Sequence, residues 1–426
     1  MKPFLSSCIA FILIATSVSI AGAQATSAPA GSANFALHDG DNVTFYGDSI
    51  TEQREYTEYV EEFVLTRFPQ RKVTFHNAGV GGDKVSGGWA GPIDLRLERD
   101  LLSVHPDVVT IMLGMNDGYY RPSQPGIVSS YIDGYRHIVD TIQKNLPQCR
   151  ITLIQPSPFD DITREPEFPG GYNAALLVFS DAIGQLAKER NYQLTDFNAP
   201  VTAMLKTLNQ NAPNLAQQLL PDRVHPAEAG HWIMAATLLK HWNAPATVSS
   251  VTLAAVSKAG AEAQNSVVTD LRRAKGSLSW IQLDSALPLP LPPAEVDPVL
   301  ALTIKLSDIT TTLNQQTLQI HGLPTGNYDL LIDQRKIAMF SSDELSGGVN
   351  LATLETPMLE QSRLVSWDTE KKNNLEGARF KIISASSTAE ASKTAAALAQ
   401  AITVATARQR ADAQPRPHQF QIVPHQ

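Results

Sequence analysis

Midway along the chain, Asp222-Arg223-Val224-His225-Pro226 sets a carboxylate three residues before an imidazole, with a proline to fix the turn. An imidazole so placed can take a proton from a weak nucleophile while the carboxylate holds its tautomer and stabilises the imidazolium that forms. The nucleophile for such a pair would be a hydroxyl, and Gly47-Asp48-Ser49-Ile50-Thr51 offers one. Ser49 directly follows a short apolar run, at a point where a helix can begin and helix-terminal N–H groups gather. Each block also has a plainer reading. A serine after a strand commonly caps a helix, an isolated Asp-x-x-His is commonly a surface turn, and Pro226 suits the first turn of a helix.

Acyl transfer by a serine develops negative charge on the carbonyl oxygen, which needs hydrogen-bond donors aimed at it. Asn77-Ala78-Gly79-Val80-Gly81-Gly82-Asp83 and Gly114-Met115-Asn116-Asp117 hold donors of suitable kinds, backbone N–H groups in a glycine loop and a side-chain amide. A tight turn explains the glycines equally well. Nucleotide binding is disfavoured, because no Lys-Ser or Lys-Thr follows at P-loop spacing and the loop departs from G-x-G-x-x-G. His231 and His241 lack the cysteine or carboxylate that would complete a zinc set, so no metal is expected. Trp89, Tyr56 and Tyr59 either line a groove or pack inside, and Asp160 and Asp161 sit either in a substrate-contacting loop or in a solvated turn.

These residues need a scaffold that gathers them. Short apolar stretches at 43–46, 73–76, 107–113, 150–155 and 192–196 alternate with helix-like stretches at about 55–67, 95–104, 129–144, 173–189 and 227–241. That alternation predicts a five-stranded parallel sheet covered by helices on both faces, with ligands bound beyond the carboxyl ends of the strands. Ser49, the glycine loop and Asn116 all follow predicted strands. After Trp242 the composition changes. Residues 244–298 read as a connecting segment, Pro-rich at its end (LPLPLPPAEVDP), and 299–426 as a smaller β-rich region. Strands are expected there at 300–306, at 317–320 and within 322–333, where a turn leads into a strand, followed by an Ala-rich helix at 388–410 and a last strand at 418–423.

Of the 426 residues, 43% are hydrophobic, enough for real cores, and 18% are charged, against roughly 25% in an average soluble chain. With 34 basic and 42 acidic residues the net charge is -8, and no clustered Lys and Arg are present to neutralise phosphates, so nucleic acid is not an expected partner. Lys2, the apolar run at 4–20 and Ala21-Gly22-Ala23 predict a cleaved signal peptide at 1–23, followed by a linker at 24–40. A periplasmic or secreted protein with no membrane attachment after cleavage is the expectation. Cys149 then remains as the sole cysteine, without a disulfide partner, and burial at the start of a strand is its expected fate.

The blocks GDS, GGD, GxND and DxxHP occur in that order, on the expected strands. Over residues 40–243 the chain resembles the SGNH (GDSL-like) hydrolase superfamily. The resemblance implies a flavodoxin-like three-layer α/β/α fold with Ser49 as nucleophile, His225 as general base and then acid, and Asp222 as its orienting carboxylate. It also implies an oxyanion hole from the N–H groups of Ser49 and Gly82 and the side chain of Asn116. PSPFDD at 156–161, PGGYN at 169–173, GGVNLA at 347–352 and TPM at 356–358 look like exported bacterial members with a C-terminal extension, a group that includes polysaccharide deacetylases. Tyr119 and Tyr120 lie outside the superfamily pattern and either stack on a sugar ring or roof the pocket; with Asp160 they are the expected substrate contacts.

The expected function is therefore a serine ester hydrolase working through an acyl-enzyme, without metal or organic cofactor, on O-acetyl groups of an acetylated polysaccharide or oligosaccharide. The alternatives are a lipase, thioesterase or arylesterase of the same superfamily, and a glycan-binding protein on a non-catalytic hydrolase fold. No oligomeric state is read from the sequence.

Overall fold

A computed structural model describes residues 34–256, 260–274, 276–291 and 297–426. The expected signal peptide and all of the linker up to residue 33 lie outside the described residues. Five strands, β1 (Asn42–Gly47), β2 (Thr74–Gly79), β3 (Val108–Met112), β4 (Arg150–Gln155) and β5 (Gln193–Asp196), form one parallel sheet in the order β2-β1-β3-β4-β5. Every residue of β3 (VVTIM) is buried, as a strand covered on both faces requires. The reversal of strand order between β1 and β3 opens a crevice at their carboxyl ends.

The crossovers are α1 (Ser49–Glu52), α2 (Glu55–Arg67), α3 (Ile93–Asp100), α4 (Pro125–Asn145), α5 (Gly171–Arg190), α6 (Asn198–Asn211) and α7 (Glu228–His241). Proline at the first turn of α4 starts it four residues ahead of the expected boundary. Tyr131, Tyr135, Ile138 and Ile142 of α4 recur at helical spacing and are all at most 1% exposed, each such burial contributing about 1.5–3 kcal/mol. This three-layer unit is the fold the sequence pattern predicts.

The rest of the chain departs further from expectation. Residues 244–298 do more than connect: they contain β6 (Thr247–Ala254), β7 (Glu262–Gln264), β8 (Ser266–Ala274) and β9 (Ser277–Asp284). Their partners are β10 (Gln315–His321), β11 (Asn327–Ile332), β12 (Arg335–Ser341), β13 (Val349–Asn350) and β14 (His418–Pro424). One sheet is antiparallel, β8-β9-β14-β11-β12; the other, β13-β10-β6-β7, pairs β10 with β6 in parallel. Trp280 and Phe420 stack 5.2 Å apart in the core of this region.

The strand expected at 300–306 is instead α8 (Pro298–Leu306), because Asp297 caps it, accepting from Val299 N and Leu300 N at 2.8 and 3.0 Å, and Pro298 fits the first turn. Two long helices, α9 (Pro357–Ala385) and α10 (Ala389–Asp412), form a hairpin whose first arm packs on α2. The long α9 is invisible to an apolar-period search, since its buried face carries Gln361, Ser362, Asp368, Thr369, Lys372 and Asn373.

Candidate active site

Ser49 stands where β1 turns into α1. Gly47 must be glycine there, since a Cβ would lie 2.8 Å from Met112 O and closer still to the Thr51 side chain. The capping role falls to Asp48, whose side chain accepts from Ile50 N at 3.0 Å, so the Ser49 hydroxyl is left free. Asp48 is 1% exposed, and burial pushes its carboxyl up to about 7 against the hydrogen bond that lowers it.

His225 arrives from the loop ahead of α7. Its Nε2 lies 2.8 Å from Ser49 Oγ, and its Nδ1 lies 2.6 Å from Asp222 Oδ2. The other Asp222 oxygen accepts the backbone N–H groups of His225 and Val224 at 2.8 and 3.0 Å, so the carboxylate folds its own loop around the imidazole. Partial burial pushes the Asp222 carboxyl up, but these N–H bonds and the imidazole outweigh it and hold the carboxyl below its ordinary range. Ionised, it favours the Nδ1–H tautomer and leaves Nε2 as the acceptor facing serine.

Arg223, which sequence reasoning passed over, anchors this loop. It sits at φ +75°, donates from Nε to Asp160 O at 3.1 Å, and lays its guanidinium over the Phe159 ring at 5.2 Å. Its carbonyl accepts Asp160 N at 2.9 Å. The only sequence signal was its place between the acid and the imidazole. Pro226 precedes α7 by two residues instead of occupying its first turn.

Hydrogen-bond donors stand in the neighbouring loops. Ser49, as the first residue of α1, has an N–H with no intrahelical acceptor. Gly81 rests against it, a Cβ there coming 3.9 Å from the serine Cβ, and its N–H is held by Glu52 Oε2 at 2.7 Å. Gly82 has φ +73°, is exposed, has open space within 4 Å on its Cβ side, and sits between two fixed neighbours. Asp83 is one of these, its N–H bonded to Val80 O at 3.1 Å and its carboxylate to buried Arg96 at 2.9 Å. Asn116 donates one amide hydrogen to Asp83 O at 3.1 Å and accepts Tyr120 Oη at 3.1 Å on its carbonyl, leaving one hydrogen for a ligand. Serine, base, orienting carboxylate and a ring of N–H donors together make an arrangement that can attack a carbonyl and hold the resulting oxyanion.

Residues 45–233 match the model of the GDSL-like lipase/acylhydrolase family. The chain carries a GDSL-like esterase domain. An acetylxylan esterase of Geobacillus stearothermophilus is 26% identical over 223 residues, 48% of this chain and 94% of that protein. The isoamyl acetate-hydrolyzing esterase of Saccharomyces cerevisiae is 27% identical over 219 residues, 47% of this chain and 86% of that one. A solved structure of a gut microbial diltiazem-metabolizing enzyme superposes with a TM-score of 0.80 and 23% identity, covering 91% of this chain and 98% of its own. That likeness concerns the fold, and it extends beyond the hydrolase sheet into the C-terminal sheets and helices.

Around the esterase domain's serine, the other predicted residues separate. Tyr120 is beside the site, bonded to Asn116 and packed 5.0 Å from Tyr172, with its hydroxyl pushed up to about 12 by burial. Tyr119 points outward, 52% exposed. Both adopt left-handed backbone, φ +52° and +54°, which costs a non-glycine residue of order 1 kcal/mol and recurs at functional loops.

Asp160 is a correction. It is fully buried and accepts from Ile162 N, Thr163 N and Arg164 Nη1 at 3.0, 2.8 and 2.7 Å, so it neither meets substrate nor lies in a solvated turn. Arg164 carries the hold onward to Leu220 O and Pro221 O, beside Asp222. Tyr56 and His231 are core residues stacked 6.1 Å apart, and Cys149 is buried as expected. Trp89 is exposed, its indole N–H pinned to Gly81 O at 2.8 Å. No cluster of three metal-ligating side chains occurs among the described residues.

Proposed function

We propose that this esterase is exported and removes O-acetyl groups from carbohydrate through an acetyl-enzyme on Ser49. The carrying observation is the relay of 2.8 and 2.6 Å from Ser49 Oγ through the His225 ring to Asp222. His225 Nε2 takes the serine proton as Oγ bonds the acetyl carbon. Charge moves to the carbonyl oxygen, which the N–H groups of Ser49 and Gly82 and the Asn116 amide receive. Collapse breaks the bond to the sugar oxygen, His225 returns the proton to that oxygen, and water repeats the sequence to release acetate.

Two features support acetyl as the acyl group. Both similar esterases are named for acetate esters although their alcohols are unrelated, a xylan in one and isoamyl alcohol in the other. Charged and polar side chains stand in the loops that carry the site, Lys84 next to Asp83, Arg121 near Tyr120 and the 57%-exposed Asp222 on the serine's base, where a long acyl chain would want an apolar groove. Export is supported by the n-region, apolar run and Ala-Gly-Ala of the first 23 residues.

The test is acetate release from acetylated xylan, pectin and glucomannan by wild type and Ser49→Ala side by side. Release by wild type alone is the expected result. No release from any of them, with p-nitrophenyl acetate still cleaved, would discard the carbohydrate substrate; turnover of the octanoate ester equal to that of the acetate would discard the acetyl preference.

A further inference from the structure

Resting on that reading, we propose that Lys84, Tyr119 and Arg121 form a subsite for a carboxylate-bearing sugar, so that the favoured substrate is an acetylated glycan carrying uronic acid. Two cations meet one exposed ring: Lys84 Nζ is 5.2 Å and the Arg121 guanidinium carbon 4.9 Å from the centroid of Tyr119. They therefore lie within about 10 Å of each other, about a Debye length at 0.1 M salt, and repel. Among the described residues neither has a carboxylate within ion-pair distance, although the whole chain carries a net charge of -8. Of the nearby acids, Asp83 is paired with Arg96 and Asp222 is bonded to His225, while buried Asp117 accepts Val85 N at 3.0 Å and feels the Lys84 charge without forming an ion pair with it. An anion at the edge of Tyr119, within reach of both cations, would be attracted by both.

The position ties this cluster to the chemistry. Lys84 is two residues beyond Gly82, and Tyr119 is the neighbour of Tyr120, whose hydroxyl holds Asn116. Both tyrosines have left-handed backbone; the Tyr119 ring is 52% exposed, while the 39%-exposed Tyr120 ring meets Phe159 and Tyr172. On the proposed reading, a glycan held by its acetyl group at Ser49 would present a neighbouring sugar to this exposed ring and its two cations, a fit for a ring with a carboxylate at its edge.

The experiment uses the whole chain and two probes, xylo-oligosaccharides with and without a glucuronate branch, each in acetylated and unacetylated form. Acetate release from the acetylated pair gives the ratio of kcat/KM, acidic over neutral. Inhibition of p-nitrophenyl acetate hydrolysis by the unacetylated pair gives the ratio of affinities without any deacetylation. Both ratios are expected to be on the order of ten at low ionic strength, to fall with added NaCl, and to drop to about one in Lys84→Gln/Arg121→Gln. Charge reversal, Lys84→Glu/Arg121→Glu, should carry them below one. Ratios near one in wild type, or ratios indifferent to salt and to both variants, would overturn the subsite. Binding with an acid preference but without acetate release would keep the subsite and fail the deacetylase reading.

Discussion

Lys372 of α9 places its ammonium 2.9 Å from Glu61 Oε1 of α2, and each side chain is only 5% exposed. Asn373 and Gln409 complete the carboxylate's bonds at 3.0 Å each, so a charge of the hydrolase domain is satisfied wholly by the C-terminal helices. The same helix meets Arg54 so closely that a Cβ on Gly377 would lie 3.1 Å from its Nε. Farther along, Lys381 stands 3.9 Å from Glu52, the residue that holds Gly81 N–H. The C-terminal region is thereby linked to the glycine loop at Gly81 and Gly82.

Removing one partner of such a buried pair leaves the other charge uncompensated. Lys372→Ala should destabilise the protein by about 3–5 kcal/mol, whereas Lys372→Met with Glu61→Leu should cost far less. Urea denaturation of the three proteins measures the difference, and a single variant as stable as wild type would contradict the account.

In the proposed mechanism, Tyr120 acts on the oxyanion through Asn116. Tyr120→Phe removes one neutral hydrogen bond, about 1 kcal/mol, so kcat on p-nitrophenyl acetate should fall roughly fivefold with KM little changed. An unchanged kcat with a raised KM would instead make Tyr120 a substrate contact alone.

Asp160 should behave as a positioning residue. Asp160→Asn weakens the charge-assisted bonds that hold residues 162–164 and, through Arg164, the segment before Asp222; about 1–3 kcal/mol of stability and roughly tenfold in kcat are expected to go together. Raised KM at full stability would restore the substrate-contact role.

Stability should decline above neutrality. Burial raises Asp48 and Asp117 from an ordinary 3.8 to about 7, and Glu58 from 4.5 to about 8, so the folded state keeps protons that the unfolded chain has already lost. Their contribution is lost as pH rises across that window. Burial lowers His76 to about 4 and His231 to about 3 from 6.5, so their contribution is lost as pH falls below 6.5 and is constant above it. Only the acids act between pH 6.5 and 8.5, and Tm should drop over that interval, less steeply in Glu58→Gln. A Tm that rises there would refute the assignment of buried neutral carboxyls.

Much of the hydrolase unit was legible because its strands are short apolar runs between amphipathic stretches, and because Ser49, Gly82 and Asn116 each follow a strand directly. The C-terminal region was not. Its long helix α9 buries Lys372 and Asn373 rather than an apolar stripe, and α8 reads as β-branched and apolar until Asp297 is seen to cap it. Asp160 looked like a loop acid near the site, and nothing in PSPFDD says that its carboxylate is consumed by its own turn. The cation pair around Tyr119 depends on left-handed backbone at two tyrosines, which residue types do not announce.

The central claim is that Ser49, activated by His225, is the nucleophile. Its most direct measurement is kcat for p-nitrophenyl acetate with Ser49→Ala, folded as judged by an unchanged Tm. The relay of 2.8 and 2.6 Å predicts a loss on the order of 10³- to 10⁶-fold. A variant that turns over at the wild-type rate would contradict it.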